Sequence, residues 1–412
     1  MRQPGQLGQL GQSPRTAAPS TAVSLLRMRA RQQPHRIGYA FVPEEGRELE
    51  LSYAELDRQA RAISCVLAGL RGQAALLVYP PGLDYIAAFF GCLYAGVIAV
   101  SAPPPDRVRP DRSLPRLAAI VRDAAPSAVL TTAAMSGAAR FLPAPELSRL
   151  RVIASDEAAT GKAGARETVP ASVSADSVAL LQYTSGSAAD LKGVAVTHGN
   201  LMSNSERIFR LFGHCDQSRG VSWLPPYHDM GLIGGVIQPL FGGFPVTLMS
   251  PADILHRPLK WLQEISRTGA ATTSGGPNLC YDLCVRKTTA RERERLDLSN
   301  WRVAFHGSPP LRAATMEGFA AAFASAGFRR EAFHPCHGLA VRRGERRSAD
   351  APRSSQVPCE VHALESSPAR PPAVRHYRWV RGSRVPTRAV LTADLFPGEH
   401  GRWSAARPRW ES

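Results

Sequence analysis

The sequence predicts an α/β fold with largely parallel sheets. Short apolar runs, such as residues 74–79 (AALLVY), alternate with segments of helical periodicity, and Pro or Gly residues end the runs. This βαβ alternation is typical of parallel sheets covered by helices. With 412 residues, 44% of them hydrophobic, the chain is long enough for one large domain or two ordinary ones.

The elements can be followed in order from the start of the chain. Residues 1–20 are low in complexity, and we expect a disordered leader there. Ser52 can cap a helix, because Glu55 follows three residues later and apolar side chains recur at helical spacing as far as Leu70. The run at 74–79 then predicts a strand that ends at residues 80–82 (PPG).

Residues 85–100 (YIAAFFGCLYAGVIAV) form the one stretch that looks like a membrane span. The stretch is shorter than the roughly 20 residues that a spanning helix needs. Gly91 and Gly96 interrupt it, and three prolines follow at 103–105. We therefore expect a buried helix that turns into a buried strand, and no membrane span.

The same alternation continues to about residue 340. Residues 117–121 predict a helix, 128–131 a strand, and the small polar residues 155–176 a linker or surface loop. We expect one domain over residues 21–340, made of two βαβ-type subdomains at about 21–180 and 181–340.

Composition changes abruptly after residue 340. The last 72 residues hold 14 Arg, eight Pro and no Lys. Residues 341–412 could be a disordered basic tail, or could contain a short independent element around residues 388–391. We favour a third interpretation, translation of a GC-rich gene in a shifted reading frame.

Bulk charge and cysteine usage narrow the class of protein. The net charge of +16 comes almost entirely from Arg spread along the chain, without interleaved aromatic residues or a known reader motif, so we expect no nucleic-acid partner. The seven cysteines form no CxxC pair, and the first residues lack the apolar core of a signal peptide. These features favour a cytoplasmic protein with reduced thiols.

The strongest local signal is the segment 181–194 (LQYTSGSAADLKGV). An apolar run leads into a turn rich in hydroxyl groups and glycine, and a lysine follows. Backbone N–H groups and hydroxyls in such a loop can bind phosphate oxygens while a cation offsets their charge. The spacing is not that of a Walker A loop, and an ordinary hairpin turn would have the same composition.

Several motifs together resemble the adenylate-forming superfamily, which includes acyl-CoA synthetases, luciferases and peptide-synthetase adenylation domains. Residues 184–193 resemble its phosphate-loop motif TSGSTGxPKG, and residues 223–232 (WLPPYHDMGL) resemble its next core motif. The form LPPYHDMGLIGG is characteristic of one branch, the fatty acyl-AMP ligases. Similar segments also occur at 79–82, 89–96, 257–262, 274–278 and 281–286, so the resemblance covers residues 22–340.

The resemblance implies a fold and a two-step reaction. The fold would be the large N-terminal domain of the adenylate-forming enzymes. A fatty acid would react with ATP, in the presence of Mg²⁺, to give acyl-AMP and pyrophosphate. The acyl group would then pass to an acyl carrier protein or a polyketide or peptide synthase. A conventional long-chain fatty acyl-CoA ligase is the nearest alternative.

The resemblance also assigns roles to particular positions. Lys192 and His228 would be catalytic, with His228 near the carboxylate and the acyl tunnel. ATP would contact Thr184, Ser185, Gly186, Ser187, Gly193, Gly307, Ser308, Pro309, His337 and Gly338. The acyl substrate would contact His228, Met230, Gly231, Ser274, Gly275, Gly276 and Pro277. Residues 334–338 (HPCHG) would be a strand and turn, since no set of four ligands for zinc is complete there.

The sequence departs from the family pattern mainly at positions that carry chemistry. Ala188 and Ala189 replace a Thr-Gly pair in the phosphate loop, and His306 replaces an Asn in the adenine segment. Val341 stands where the family has the Glu that binds Mg²⁺, and a valine cannot coordinate a hard cation. The resemblance ends after residue 340, so we expect the small C-terminal domain with its catalytic lysine to be absent. An inactive remnant of such a ligase is therefore an alternative to an active enzyme.

Overall fold

A computed structural model describes residues 19–106, 110–139, 150–160, 171–183, 193–307 and 312–338, with the short segments 342–343, 361–363 and 377–378. The strands are β1 (Ile37–Val42), β2 (Leu49–Ser52), β3 (Ala74–Val78), β4 (Ile98–Ala102), β5 (Ala128–Thr131), β6 (Arg151–Ala154), β7 (Val178–Tyr183), β8 (Gly193–Thr197), β9 (Arg219–Ser222), β10 (Val246–Met249), β11 (Thr272–Gly276), β12 (Trp301–His306), β13 (Phe333–Gly338), β14 (Arg342–Arg343), β15 (Val361–Ala363) and β16 (Tyr377–Arg378).

Helices connect most of these strands. They are α1 (Ala22–Gln32), α2 (Tyr53–Val66), α3 (Asp84–Ala95), α4 (Pro110–Ala124), α5 (Ala133–Ala139), α6 (Ser155–Thr160), α7 (His198–Leu211), α8 (Gln238–Gly242), α9 (Pro251–His256), α10 (Leu259–Arg267), α11 (Asn278–Lys287), α12 (Ala290–Arg293) and α13 (Ala313–Ala322). A π-helix spans Met230–Ile237, and single 3₁₀ turns lie at Ala68–Leu70 and Arg330–Ala332.

Two large, mostly parallel sheets organise the fold, as the sequence predicted. The six-stranded sheet has the order β6-β5-β3-β4-β7-β8, and only β8 runs antiparallel to its neighbour. The eight-stranded sheet has the order β15-β13-β12-β11-β9-β10-β1-β2. In it β2 and β15 are antiparallel edge strands. The α/β class with mostly parallel sheets is confirmed.

The two sheets do not divide at the predicted subdomain boundary near residue 180. That boundary falls inside β7, which completes the six-stranded sheet together with β8. Strand β1 lies early in the chain but pairs in parallel with β10 of the other sheet, through Tyr39 opposite Val246. Each sheet therefore contains strands from both predicted subdomains, because parallel pairing can join segments that are distant in sequence.

The helix start that the sequence predicted at Ser52 is present. The Ser52 hydroxyl accepts a hydrogen bond from the Glu55 backbone N–H at 3.2 Å, and α2 begins at the next residue. The helix ends at Val66, and a 3₁₀ turn continues to Leu70. Helical side-chain spacing therefore extends slightly beyond the α-helix itself.

The apolar run at 85–100 forms a buried helix followed by a buried strand, as expected. Helix α3 ends at Ala95 and is capped by Gly96, whose φ of 68° lies in the left-handed region that favours glycine, and β4 begins two residues after Gly96. Within the part of the chain that the structure describes, no helix is both long and apolar enough to span a bilayer.

An aromatic cluster supports the carboxyl ends of the strands that carry the candidate site. Trp261 packs edge-on against Trp301 and Tyr281, with ring centroids 5.3 Å and 5.6 Å away. Phe319 of α13 packs against the same rings, 5.1 Å from Tyr281. These side chains are fully buried, so they hold β11, β12 and α11 in a fixed arrangement.

Candidate active site at the carboxyl ends of the strands

The candidate site is built on segments that follow parallel strands. Strands β9, β11 and β12 run in the same direction, so Ser222, Gly276 and His306 end at one edge of the sheet. The segments that follow contain His228, Pro277 and Gly307. Ligands of open α/β sheets bind outside this edge, and the predicted site residues therefore converge where the topology favours a site.

The predicted phosphate loop connects two antiparallel strands. Tyr183 of β7 pairs with Gly193 of β8, and residues 184–192 join them. The Tyr183 hydroxyl donates a hydrogen bond of 2.6 Å to Asp123 Oδ2 of α4. Burial and this carboxylate raise the pKa of Tyr183. Both ends of the loop are therefore firmly anchored.

Most of the predicted phosphate contacts cannot be placed. Thr184, Ser185, Gly186, Ser187, Lys192, Ser308 and Pro309 lie outside the residues that the structure describes. His337 and Gly338 are placed as backbone of β13, which agrees with the strand predicted at 334–338. Their roles stay predictions.

Direct contacts join the start of the phosphate loop to the segment that carries His228. Gln182, two residues before the loop, donates from Nε2 to the backbone oxygen of Tyr227 at 3.3 Å. The Tyr85 hydroxyl donates to the Pro226 oxygen at 3.0 Å. The two motifs that the sequence singled out are therefore neighbours, although about 40 residues separate them in the chain.

His228 forms a close pair with Asp229. The distance from His228 Nδ1 to Asp229 Oδ1 is 2.7 Å, and both side chains are partly buried. Asp229 Oδ1 also accepts a hydrogen bond of 2.7 Å from the Met230 backbone N–H. Partial burial lowers the pKa of His228, but the Asp229 carboxylate outweighs it, so the pKa lies above its usual value. The Asp229 carboxylate thus favours the protonated ring, and a protonated ring would suit an anionic substrate.

The backbone is packed so closely at this edge that side chains are excluded. A Cβ on Gly231 would collide with the backbone oxygen of Pro225, and one on Gly275 would collide with that of Phe305. A Cβ on Gly307 would lie 2.9 Å from the Met230 thioether. Met230 therefore packs against the predicted adenine segment, and the glycines permit this approach.

The predicted substrate residues 274–277 end β11 and begin α11. The Ser274 hydroxyl accepts a hydrogen bond of 2.7 Å from Trp261 Nε1 and donates one of 2.5 Å to the Val221 oxygen. Ser274 is fully buried by these contacts and is not among the described residues that line the cleft discussed below. Gly275, Gly276 and Pro277 are also not among the described residues that line this cleft, so their role in substrate binding stays a prediction.

His306, one of the departures from the family pattern, lies in the aromatic core. Its ring stacks on Tyr281 at 5.6 Å with an interplanar angle of 14°, and Nε2 hydrogen-bonds to Asn278 Oδ1. Nδ1 has no partner among the described residues. Burial lowers the pKa of His306, so the ring is neutral at pH 7. The side chain thus supports the sheet, and the backbone of Gly307 remains at the cleft.

A cleft with about 850 Å³ of empty space, partly open to solvent, extends from this edge along the eight-stranded sheet. Asp229, Met230 and Gly307 line what we call the near end. His214, Phe244 and Thr273 line the far end, beside the amino-terminal halves of the strands. The remaining lining is mainly apolar and comes from α7, the π-helix and β9–β12. Such a shape suits a long apolar chain with a polar group at its entrance.

The far end contains residues that no motif in the sequence indicated. His214 Nε2 lies 2.9 Å from the Thr273 hydroxyl, and His214 Nδ1 lies 3.2 Å from Gln238 Nε2. Burial, with a smaller effect of His334, lowers the pKa of His214 to about 4. Three elements contribute one residue each, so only the tertiary fold brings them together.

The described residues do not form a metal site of their own. No group of three or more His, Cys, Asp or Glu side chains among them could hold an ion. Val341, which the resemblance placed at the position of a Mg²⁺ ligand, lies outside the described residues. In this part of the chain we therefore assign no side chain to Mg²⁺.

Comparisons with known proteins agree with this geometry. A family model described as AMP-binding enzyme matches residues 26–338. The chain is 44% identical over 327 residues to the medium-chain-fatty-acid–acyl-carrier-protein ligase JamA of Moorena producens, covering 78% of this chain and 55% of that protein. It is 35% identical over 334 residues to the long-chain-fatty-acid–AMP ligase FadD32 of Mycolicibacterium smegmatis, covering 78% and 52%.

A solved structure gives the same result for the fold. The fatty acyl-adenylate ligase of L. pneumophila, in complex with acyl adenylate and pyrophosphate, matches with a TM-score of 0.70 at 39% identity, over 78% of this chain and 56% of that one. The chain spans about half the length of the curated relatives it matches. Since the family match covers most of the sequence and the fold agrees, this protein belongs to the AMP-binding enzyme family.

Proposed function

We propose that the chain binds ATP and a fatty acid in this cleft and joins them as an acyl-adenylate. A carboxylate oxygen would attack the α-phosphorus of ATP, and the bond to the bridging oxygen of pyrophosphate would break. The observation that supports this most strongly is the contact of Gln182 with Tyr227, because it sets the start of the phosphate loop beside the near end of an apolar cleft. Bringing two anions together requires positioning and charge stabilisation.

Each part of the two substrates has candidate binding residues. We assign the polyphosphate to Thr184, Ser185, Gly186, Ser187 and Lys192, the adenine side to Gly307 with Ser308 and Pro309, and the carboxylate to His228. Mg²⁺ would accompany ATP and would offset phosphate charge. The acyl acceptor that we propose is an acyl carrier protein, because the relative JamA is named for that partner.

A second candidate function is binding without turnover. Val341 replaces the family's Mg²⁺ ligand, and Ala188 and Ala189 replace a Thr-Gly pair in the phosphate loop. These departures remove groups that act on phosphate and leave the described cleft unaffected. A protein of this kind would still bind nucleotide and fatty acid, but more weakly, and would form no adenylate.

Calorimetry on the full chain tests nucleotide binding. We expect Lys192→Gln to weaken binding of α,β-methylene-ATP with Mg²⁺ at least tenfold, or about 1.4 kcal/mol, since a charge-assisted hydrogen bond would be lost. Lys287→Gln is the matched control, because among the described residues Lys287 Nζ bonds to the backbone oxygens of Leu255 and His256 on the surface. Equal affinities in both variants would refute the role of Lys192.

The acyl side is tested by filling the cleft. Among the described residues, the nearest neighbour of a Cβ on Gly234 would be the Phe305 ring, at 4.0 Å, so Gly234→Leu would project into the empty space. We expect decanoate to bind at least tenfold more weakly while the ATP analogue binds as before. Unchanged decanoate binding would show that the cleft does not hold the acyl chain. Exchange of pyrophosphate into ATP, stimulated by decanoate, then distinguishes turnover from binding alone.

A further inference from the structure

The far end of the cleft contains a polar cluster in otherwise apolar surroundings. We define this far-end cluster as His214, Gln238 and Thr273. His214 is enclosed by aromatic rings, with the Phe244 centroid 4.9 Å and the Phe212 centroid 5.5 Å away. Polar side chains are seldom placed in an apolar cavity unless they have partners there.

The hydrogen bonds within the far-end cluster leave one acceptor atom without a donor. At neutral pH the His214 ring is uncharged, so it has a single N–H. If Gln238 Nε2 donates to Nδ1, then Nε2–H of the ring donates to the Thr273 hydroxyl, and both contacts are satisfied. Gln238 Oε1 then has no hydrogen-bond partner among the described residues, although Gln238 is only 2% exposed and lines the cleft.

A second residue that lines the cleft also has a buried polar atom without a partner among the described residues. Ser222, at the end of β9, is 6% exposed, and its hydroxyl has no partner within the described part of the chain. Leaving a buried polar atom without a partner is costly, so such atoms are usually satisfied by water or by a ligand. Both residues line the cleft, so a ligand that fills it would supply the missing partners.

The length of the cleft limits the size of that ligand. Thr273 lies opposite Val303 in the sheet, and Gly307 lies four residues further along the same direction. Four residues of strand correspond to ~13 Å at ~3.3 Å per residue. An extended chain of about ten carbon atoms spans this distance, given C–C bonds of ~1.5 Å. The far-end cluster would therefore meet the terminal part of a medium-length chain.

We infer that the preferred acyl substrate is a medium-chain fatty acid with a hydroxyl group at its far end, which donates a hydrogen bond to Gln238 Oε1. This inference rests on the proposed function, because it requires the carboxylate to lie at the near end beside His228. A plain alkyl chain of the same length would fill the cleft but leave Gln238 Oε1 without a partner. Specificity of this kind is strong when a buried polar group depends on the ligand.

Calorimetry with decanoate and 10-hydroxydecanoate on the full chain tests the inference. We expect the hydroxy acid to bind about fivefold more tightly or better, the range of one added hydrogen bond. In Gln238→Leu the preference should disappear or reverse. The matched control is Gln33→Leu, because Gln33 Oε1 is also without a partner among the described residues but lies outside the cleft lining.

The outcomes are distinguishable. If the wild-type protein binds the two acids equally, or prefers decanoate, water satisfies Gln238 and the inference is wrong while the proposed function stands. If neither acid binds, the proposed function fails and this inference fails with it. Loss of the preference in Gln33→Leu would also overturn the assignment to Gln238. The wild-type comparison needs no variant, so a folding defect in Gln238→Leu cannot obscure the result.

Discussion

His214 lines the far end of the cleft and His228 lies next to the near-end residue Asp229, and the pKa values of the two rings are shifted in opposite directions. His228 at the near end is paired with Asp229, which raises its pKa despite partial burial. His214 at the far end is surrounded by aromatic rings, and burial lowers its pKa to about 4. The same side chain is thus suited to an anion at one end and to a neutral group at the other.

The two ends of the cleft also differ in how closely the backbone is packed. At the near end, backbone meets backbone, as where Gly275 lies against the Phe305 oxygen. At the far end the closest neighbours are side chains, as where Gly220 lies against Val246. Backbone contacts cannot relax by rotation of a side chain, so we expect the near end to tolerate substitution less well.

The largest effect should come from Gly275→Ala. The new Cβ would collide with a backbone oxygen, so one of the strands must move, and we expect a loss of at least ~3 kcal/mol in the free energy of unfolding. Thermal unfolding should show a decrease in Tm of roughly 5–10 °C. Gly318→Ala is the control: nothing lies within 4 Å of its Cβ, and it should stabilise α13 by up to ~1 kcal/mol. Equal melting of both variants would contradict the close packing.

An intermediate effect, caused by His214, should appear in the stability of the protein at acid pH. Its pKa is lowered from 6.5 to about 4, so the unfolded chain binds a proton between these values that the folded protein excludes. The free energy of unfolding should therefore fall as pH decreases through this window, by ~2 kcal/mol from pH 6.5 to 5. Urea unfolding of His214→Gln should have a pH slope smaller by about one proton.

The smallest effect should come from His228. Below its raised pKa the ring is cationic and offsets Asp229; above it, the Asp229 carboxylate remains and repels a fatty-acid anion. Decanoate affinity should thus fall about fivefold, or ~1 kcal/mol, as pH rises through the pKa of His228. In His228→Gln this pH dependence should be absent. A variant that retained the wild-type pH profile would place the carboxylate elsewhere.

The local features of the fold could be predicted from the sequence. The cap at Ser52 depends on a residue three positions away. The turn at Gly96 depends on the left-handed conformation of that one residue. The apolar run at 85–100 was correctly interpreted as helix and strand because its length and glycines exclude a span. The parallel character of the sheets followed from βαβ alternation.

Features that depend on distant segments could not be predicted. The chain order gave no indication that β1 pairs with β10, and the predicted split near residue 180 consequently passes through a strand. The π-helix at Met230–Ile237 has the same apolar pattern as an ordinary helix. The contact of Gln182 with Tyr227 is a different case, because the resemblance had assigned roles in one reaction to the phosphate loop and to His228.

The pairing of β1 with β10 also affects how the protein is made. Strand β1 leaves the ribosome about 200 residues before β10, which at ~5–20 residues per second is a wait of about 10–40 s. During this interval β1 can pair with β2 but lacks its parallel partner, although Tyr39 and Phe41 are buried in the finished fold. Apolar side chains and an unpaired strand edge that wait in this way favour aggregation, so protection of β1 during synthesis would raise the yield of native protein.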